Sequence, residues 1–200
     1  MVRSPEFLSL RLERALRRAA DWHRAQVRKG SGIPYIQHPL TVALILDRLD
    51  FDEDVIIAGL LHDAVEDTTA TLDDVRAEFG DRVAEIVRHN SEIKHDATGQ
   101  KRPWIERKRD HLEALADAPI EAWAVALADK LHNLISIKLD LAEDRPVWSV
   151  FNAERDQVLW YYRTMIDRCG AGDLRLERLA ESCRSALAAI EAPGSLPADG

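Results

Sequence analysis

An apolar run that ends in a knot of acid constrains this chain more than any other feature. In DEDVIIAGLLHDAVED, residues 52–67, the segment VIIAGLL is followed within six positions by one histidine and three carboxylates. A stretch that is apolar nearly all round belongs to a helix packed inside a protein, and the carboxylates that open it suit a helix N-terminus. Helical spacing sets His62 four residues from Glu66, Asp63 four from Asp67 and three from Glu66. All four are therefore expected on one side of a turn and a half. Burying several carboxylates together is costly unless a cation compensates. A divalent metal removes the conflict because it accepts imidazole and carboxylate ligands together. The alternative is a half-exposed acidic patch held by helix caps or salt bridges. That is the simpler reading of a lone His-Asp pair, but four such groups on one face favour the metal.

Helical periodicity extends over nearly the whole chain. Leu8, Leu12, Ala15, Leu16 and Ala19 recur at helical spacing among arginines that suit a solvated surface. HPLTVALILDRL places Pro39 in a first helical turn, where its missing N–H is not needed. TLDDVRAEFG reads as a capping box, Thr71 with Asp74, closed by Gly80. Further helices are expected over about 81–93, 103–117, 120–140, 148–168 and 173–191, with no period-2 strand or hairpin signal. The fold class is all-α. With 200 residues and 46% hydrophobic content, one domain over 1–192 is expected, and EAPGSLPADG points to a disordered tail over 193–200.

A net charge of −8 argues against a general nucleic-acid or membrane-surface binder, so no DNA or membrane partner is expected. Cys169 and Cys183 show no metal-ligand spacing and suggest no disulfide framework. The N-terminus lacks the apolar core of a signal peptide, and no run is long enough to span a membrane. The expectation is a cytoplasmic protein, with a homo-oligomer left open.

Two other stretches offer ligands. PYIQHPL sets His38 at the mouth of a helix between Pro34 and Pro39, where a capping or packed histidine is the alternative. VALADKLHNL sets Asp129 in an apolar helix whose Leu127, Leu131 and Leu134 look inward. A carboxylate there needs a lysine, an arginine or a metal. His132 and Asn133 follow within one turn, Asn133 sharing the face of Asp129.

Taken in order, His38, His62-Asp63 and Asp129 resemble the H…HD…D signature of the HD-domain metal-dependent phosphohydrolases. PYIQHP, LLHDAVEDT and LADKLHN look like the hydrolase domain of the RelA/SpoT homologues and of stand-alone small alarmone hydrolases, over roughly residues 18–140, with C-terminal helices over about 148–192. HDxxEDT is far more specific than a bare His-Asp. The chain has no room for the synthetase domain of long members, so a hydrolase-only protein is expected.

The resemblance implies that His38, His62, Asp63 and Asp129 bind one metal, usually Mn²⁺. It implies that Glu66 and Asp67 position or deprotonate the attacking water; for Asp67 a helix-end hydrogen bond with Thr68 or Thr69 is the alternative. A nearby cation would lower such a carboxylate's pKa, so orientation of the water is the expected role. QVRKGSGIPY looks like the family's basic loop, one residue longer than the common form, which makes Arg28, Lys29, Ser31 and Tyr35 nucleotide contacts. Asn133 matches an asparagine that reaches the nucleotide. Five Lys/Arg between Lys101 and Arg109 form a basic patch in which Arg107 and Lys108 match a family pair, against the alternative of a solvated helix face. Ala126 and LISIK depart from the pattern, which leaves base and phosphate-number preference open. The implied activity is removal of the 3′-diphosphate of (p)ppGpp. The rivals are an HD phosphohydrolase for another nucleotide, such as an adenosine alarmone, and a catalytically silent nucleotide sensor.

Overall fold

One long helix, α8 (Ile120–Ala142), runs through the interior, and the others gather round it. Trp123, Leu127, Leu134, Ile137 and Leu141 are buried along its length, so it is covered on several sides. The computed structural model describes residues 7–169 and 172–192; the tail expected over 193–200 lies outside the described residues. Before α8 come α1 (Leu10–Trp22), α2 (Gln37–Arg48), α3 (Glu53–Leu61), α4 (Ala64–Asp67), α5 (Leu72–Phe79), α6 (Asp81–Asn90) and α7 (Trp104–Ala116). After it come a 3₁₀ turn (Val147–Val150), α9 (Arg155–Arg168) and α10 (Leu174–Glu191). Among the described residues there is no strand; two isolated antiparallel bridges, Val27 with Pro34 and His95 with Lys101, close loops.

Packing follows the apolar stripes. α8 lies against α10, α2, α6 and α3, while α2 and α3 pack closely on each other. Gly59 permits that approach: a Cβ there would lie 2.5 Å from Leu46 Cδ1 and 3.3 Å from Val42 Cγ1. The expected caps form as well. Asp52 accepts from the backbone N–H of Asp54 and Val55, and Thr71 and Asp74 make a reciprocal capping box.

Two helices differ from the periodic reading. The segment 52–67 is not one helix: α3 ends at Leu61, and α4 restarts at Ala64. Asp63, with ψ of −9°, turns the chain between them while its carboxylate is held by Tyr35. The helix expected over 148–168 begins at Arg155. Glu154 and Gln157 form its capping box, and Phe151 in extended conformation separates it from the 3₁₀ turn. The arginines of α1 are also not all simply solvated, since Arg11 pairs with Asp54 on α3 and Arg18 pairs with Glu78 on α5 (2.7 Å).

Candidate active site

The break between α3 and α4 brings the acid to the wall of a cavity of about 690 Å³. His38, in the first turn of α2, is buried; its Nε2 lies 3.3 Å from Asp63 Oδ2 and 3.2 Å from Asp129 Oδ1. His62 is buried too, with Nε2 3.2 Å from Asp63 Oδ2. One ligand atom each from His38, His62 and Asp129 lies within 4.8 Å of the others. Asp63 sits between the two imidazoles and accepts a hydrogen bond from the Tyr35 hydroxyl (2.7 Å).

Donor chemistry supports a metal at this point. His62 Nδ1 faces the Gly59 carbonyl (2.8 Å), which sets a proton there and leaves Nε2, turned to Asp63, as the ring atom a metal would take in exchange for a proton. Burial pushes the His62 imidazole down, but Asp63 and Asp129 outweigh it and lift it to about 9. Burial raises Asp63 and Asp129, yet the cations around them hold both well below the usual carboxylate range: the imidazoles for Asp63, Lys130 and His38 for Asp129. A site that draws positive charge so strongly and offers nitrogen and oxygen lone pairs to one point fits a divalent ion.

His132 was not singled out as a site residue, and the structure gives it a task. Its Nδ1 lies 2.6 Å from His38 Nδ1, and its Nε2 lies 3.2 Å from the Gln37 amide. Burial, with His38 and Arg28 nearby, pushes His132 down to about 4, so it stays neutral and can accept the His38 proton. Its signal in the sequence was its place three residues after Asp129.

Glu66 and Asp67 line the same cavity and are tied by a lysine that no local pattern marked. Lys94 Nζ lies 3.1 Å from Glu66 Oε1 and also bonds Asp67 Oδ1; the Glu92 N–H donates to Glu66 Oε2 (3.2 Å). Asp67 therefore does not serve as a cap for Thr68, whose hydroxyl donates to the Ala64 carbonyl instead. Burial, then Glu92 and Asp63, raises the Glu66 carboxyl against the pull of Lys94. This is the direction without a metal, and the lowering expected beside a bound cation applies to the loaded site.

The nucleotide-contact candidates divide. Arg28, Lys29, Ser31 and Tyr35 lie on a loop closed by the Val27–Pro34 bridge, with Gly30 and Gly32 at φ of +85° and +71°. Arg28 stands over the Tyr35 ring (5.8 Å) and donates to Asn133 Oδ1 (2.8 Å), while Asn133 Nδ2 donates to Asp129 Oδ1. Lys29 is exposed and Ser31 half-buried. Arg107 and Lys108 part company: Lys108 lines the cavity, whereas Arg107, expected at the substrate, is buried and held by Glu92 (2.7 Å). Lys101 and Arg109 are exposed, in keeping with a solvated face for the rest of the patch.

An all-α chain with paired imidazoles and carboxylates converging in one cavity defines a class, and residues 15–157 match the HD domain. The chain belongs to the HD-domain family. Among its relatives, it is 44% identical over 119 residues to the mouse guanosine-3′,5′-bis(diphosphate) 3′-pyrophosphohydrolase, covering 58% of this chain and 63% of that protein. It is 42% identical over 127 residues to the GTP pyrophosphokinase of Streptomyces coelicolor, covering 64% of this chain but only 15% of the length of that relative. A solved metazoan orthologue of SpoT, described as hydrolysing ppGpp and playing a role in starvation responses, superposes with a TM-score of 0.73 at 32% identity, covering 90% of this chain and 97% of that one. A Listeria monocytogenes structure matches with a TM-score of 0.64 at 38% identity, covering 80% and 99%.

Proposed function

We propose that this HD domain, read as one unit over 1–192, hydrolyses the 3′-diphosphate of guanosine tetra- and pentaphosphate, releasing GDP or GTP and pyrophosphate. The observation that carries the reading is the convergence of His38, His62 and Asp129 in a cavity that also holds Glu66 and Asp67. The activities named for the mouse and metazoan relatives support the substrate.

His38, His62, Asp63 and Asp129 would hold one divalent ion, Mn²⁺ by family resemblance. When bound, such an ion polarises a phosphoryl oxygen and makes a nearby water more acidic. His132 keeps the His38 ring turned so that Nε2 faces the site. Glu66 and Asp67, pinned by Lys94, orient the attacking water, and Glu66 is the carboxylate that takes up its proton. The water oxygen bonds to the phosphorus that carries O3′, the P–O3′ bond breaks, and the ribose oxygen takes a proton. Arg28 offers a guanidinium face to the base, with Lys29, Ser31, Tyr35 and Asn133 around the nucleoside and Lys108 toward the phosphates. Arg107 acts on that lysine only through Glu92. We assign the reaction to the cytoplasm; no described helix is long and apolar enough to cross a membrane.

The test is chromatography of the purified protein with ppGpp and Mn²⁺, beside an Asp63→Ala control and parallel tubes of pppGpp and ppApp. GDP and pyrophosphate from the wild type alone support the reading. Turnover of ppApp alone replaces guanosine with adenosine. No turnover despite a bound metal sinks the reading and leaves the nucleotide sensor.

A further inference from the structure

Beyond the metal residues, the cavity continues into a chamber between α7, α8 and α9, of which the steps above use only Lys108 and leave Lys130 and His111 without a task. Two cations hold one carboxylate there, and a third stands beside them on the neighbouring helix. Glu92, whose side chain is only 4% exposed, pairs with Arg107 and Lys108. Lys130 lies one residue past Asp129, to which it is paired, and is itself buried. The two ammonium groups share an aromatic floor: Lys108 Nζ is 4.6 Å and Lys130 Nζ 5.5 Å from the centroid of Tyr161. Once Asp129 gives its charge to a divalent ion, Lys130 loses its one paired carboxylate, while Arg107 and Lys108 share Glu92. Buried cations in excess of their counter-charges call for an anion.

His111 supplies an independent mark. It is 7% exposed and lines the same cavity, and its Nε2 is buried with no hydrogen-bond partner. Its Nδ1 meets the Tyr161 hydroxyl at 2.7 Å. Burial pushes Tyr161 up, so the phenol keeps its proton and is able to donate it to Nδ1, the arrangement we take here. Burial, then Lys130 and Lys108, pushes His111 down to about 4, so the ring is neutral and its single proton sits on Nε2. The result is an N–H without an acceptor beside two ammonium groups. Burial, with Lys130 adding to it, also lowers Lys108, as a region of positive potential would.

We propose that Lys108, Lys130 and His111 form a phosphate-binding chamber that receives the terminal phosphate of the nucleoside 3′-diphosphate and, after cleavage, holds pyrophosphate. This rests on reading the site as a nucleoside 3′-diphosphate hydrolase. The chamber abuts the reacting phosphorus because Lys130 touches Asp129 directly. It selects a diphosphate over a monophosphate at the 3′ position, since a single phosphate at the metal would leave the three donors unmet. Asn90, also buried in this wall, donates to the carbonyls of Ile86 and Ala122, and so takes no part.

The experiment is calorimetric titration of inorganic pyrophosphate into the protein, with Mn²⁺ and again without it, comparing wild type with His111→Leu, His111→Gln and Lys108→Met. Loss of a hydrogen bond to a charged ligand should weaken pyrophosphate binding about tenfold in His111→Leu, and loss of an ammonium group by more in Lys108→Met. His111→Gln restores an N–H near the Nε2 position and should recover most of the affinity. GDP binding should stay at the wild-type value in His111→Leu. If His111→Leu does not fold, the Lys108→Met and His111→Gln titrations decide: wild-type pyrophosphate affinity in Lys108→Met overturns the chamber. So does a well-folded His111→Leu that binds pyrophosphate within about twofold of wild type. A wild type that leaves ppGpp intact yet binds pyrophosphate through His111 would remove the alarmone reading and keep the chamber. Turnover of ppGpp with no sensitivity to either residue would do the reverse.

Discussion

Two acid clusters sit at opposite ends of α3, and they are neutralised in different ways. At the N-terminus, Asp52 caps the helix and meets Arg82 through two contacts of 2.8 and 2.9 Å, while Arg82 also reaches Asp54 (3.1 Å) and Glu121 (3.0 Å). Helix dipole, backbone N–H groups and a guanidinium all favour negative charge there. At the C-terminus, Asp63 lies where the dipole opposes it, and its close partners are two imidazoles and a phenol. The first cluster is complete with the groups the chain supplies. The second pulls a proton onto His62 for want of a stronger cation. Acid by itself therefore does not mark a metal centre; acid without a resident guanidinium, at the wrong end of a helix, does.

Removing the acid that lacks a resident guanidinium should have the largest effect. Asp63→Ala is expected to abolish turnover, by about 10⁴-fold or more, and to remove bound metal. Activity that survives in metal-depleted Asp63→Ala would erase the distinction between the two clusters. Glu66→Gln should keep the metal, measured by elemental analysis, and lose about 10²- to 10³-fold in kcat. Unchanged turnover would take Glu66 out of the water-activating role.

The proton on His62 makes a pH prediction with a definite sign. Its pKa in the metal-free folded protein is raised from 6.5 to about 9, so protonation adds stability that is complete below 6.5 and lost as pH rises through 9. Metal competes with that proton. Apparent Mn²⁺ affinity should climb by up to about tenfold per pH unit across this window and then level off. A flat profile would mean that His62 is not a ligand. His132→Ala should weaken Mn²⁺ binding about tenfold by freeing the His38 ring, with little change in melting temperature. At the completed cluster, Arg82→Ala should cost only about 1 kcal/mol in a denaturant titration, because the pair is half-exposed and screened. A loss of metal in Arg82→Ala would show that the two ends of α3 are coupled after all.

Much of the helical frame was legible because its signals are short-range. Thr71 with Asp74, the apolar run before His62 and the stripe through Leu127 and Leu134 each act within a turn or two of helix. The residues that converge on the candidate metal centre stood out for the same reason, as acid and imidazole beside apolar helix. The break between Leu61 and Ala64 was not, since helical spacing is equally consistent with a continuous helix, and Asp63 is held by Tyr35 from 28 residues away. Lys94, paired with Glu66 and Asp67 from 27 or 28 residues on, had no local signature either.

The split between Arg107 and Lys108 shows the same limit most sharply. Adjacent residues in one basic run share Glu92, yet of the two Lys108 lines the cavity and Arg107 does not, and nothing in ERKR distinguishes them. Residue types, helix stripes and caps thus follow from neighbours along the chain, where backbone geometry fixes who meets whom. Which charge ends paired, which imidazole backs which, and which buried N–H is left without an acceptor depend on helices packed from distant segments. Arg28 meeting Asn133 across 105 residues is of that second kind. Only the packing of α2, α3, α7 and α8 around one cavity could decide it, because burial strips water from those groups and leaves each dependent on the partner that packing supplies.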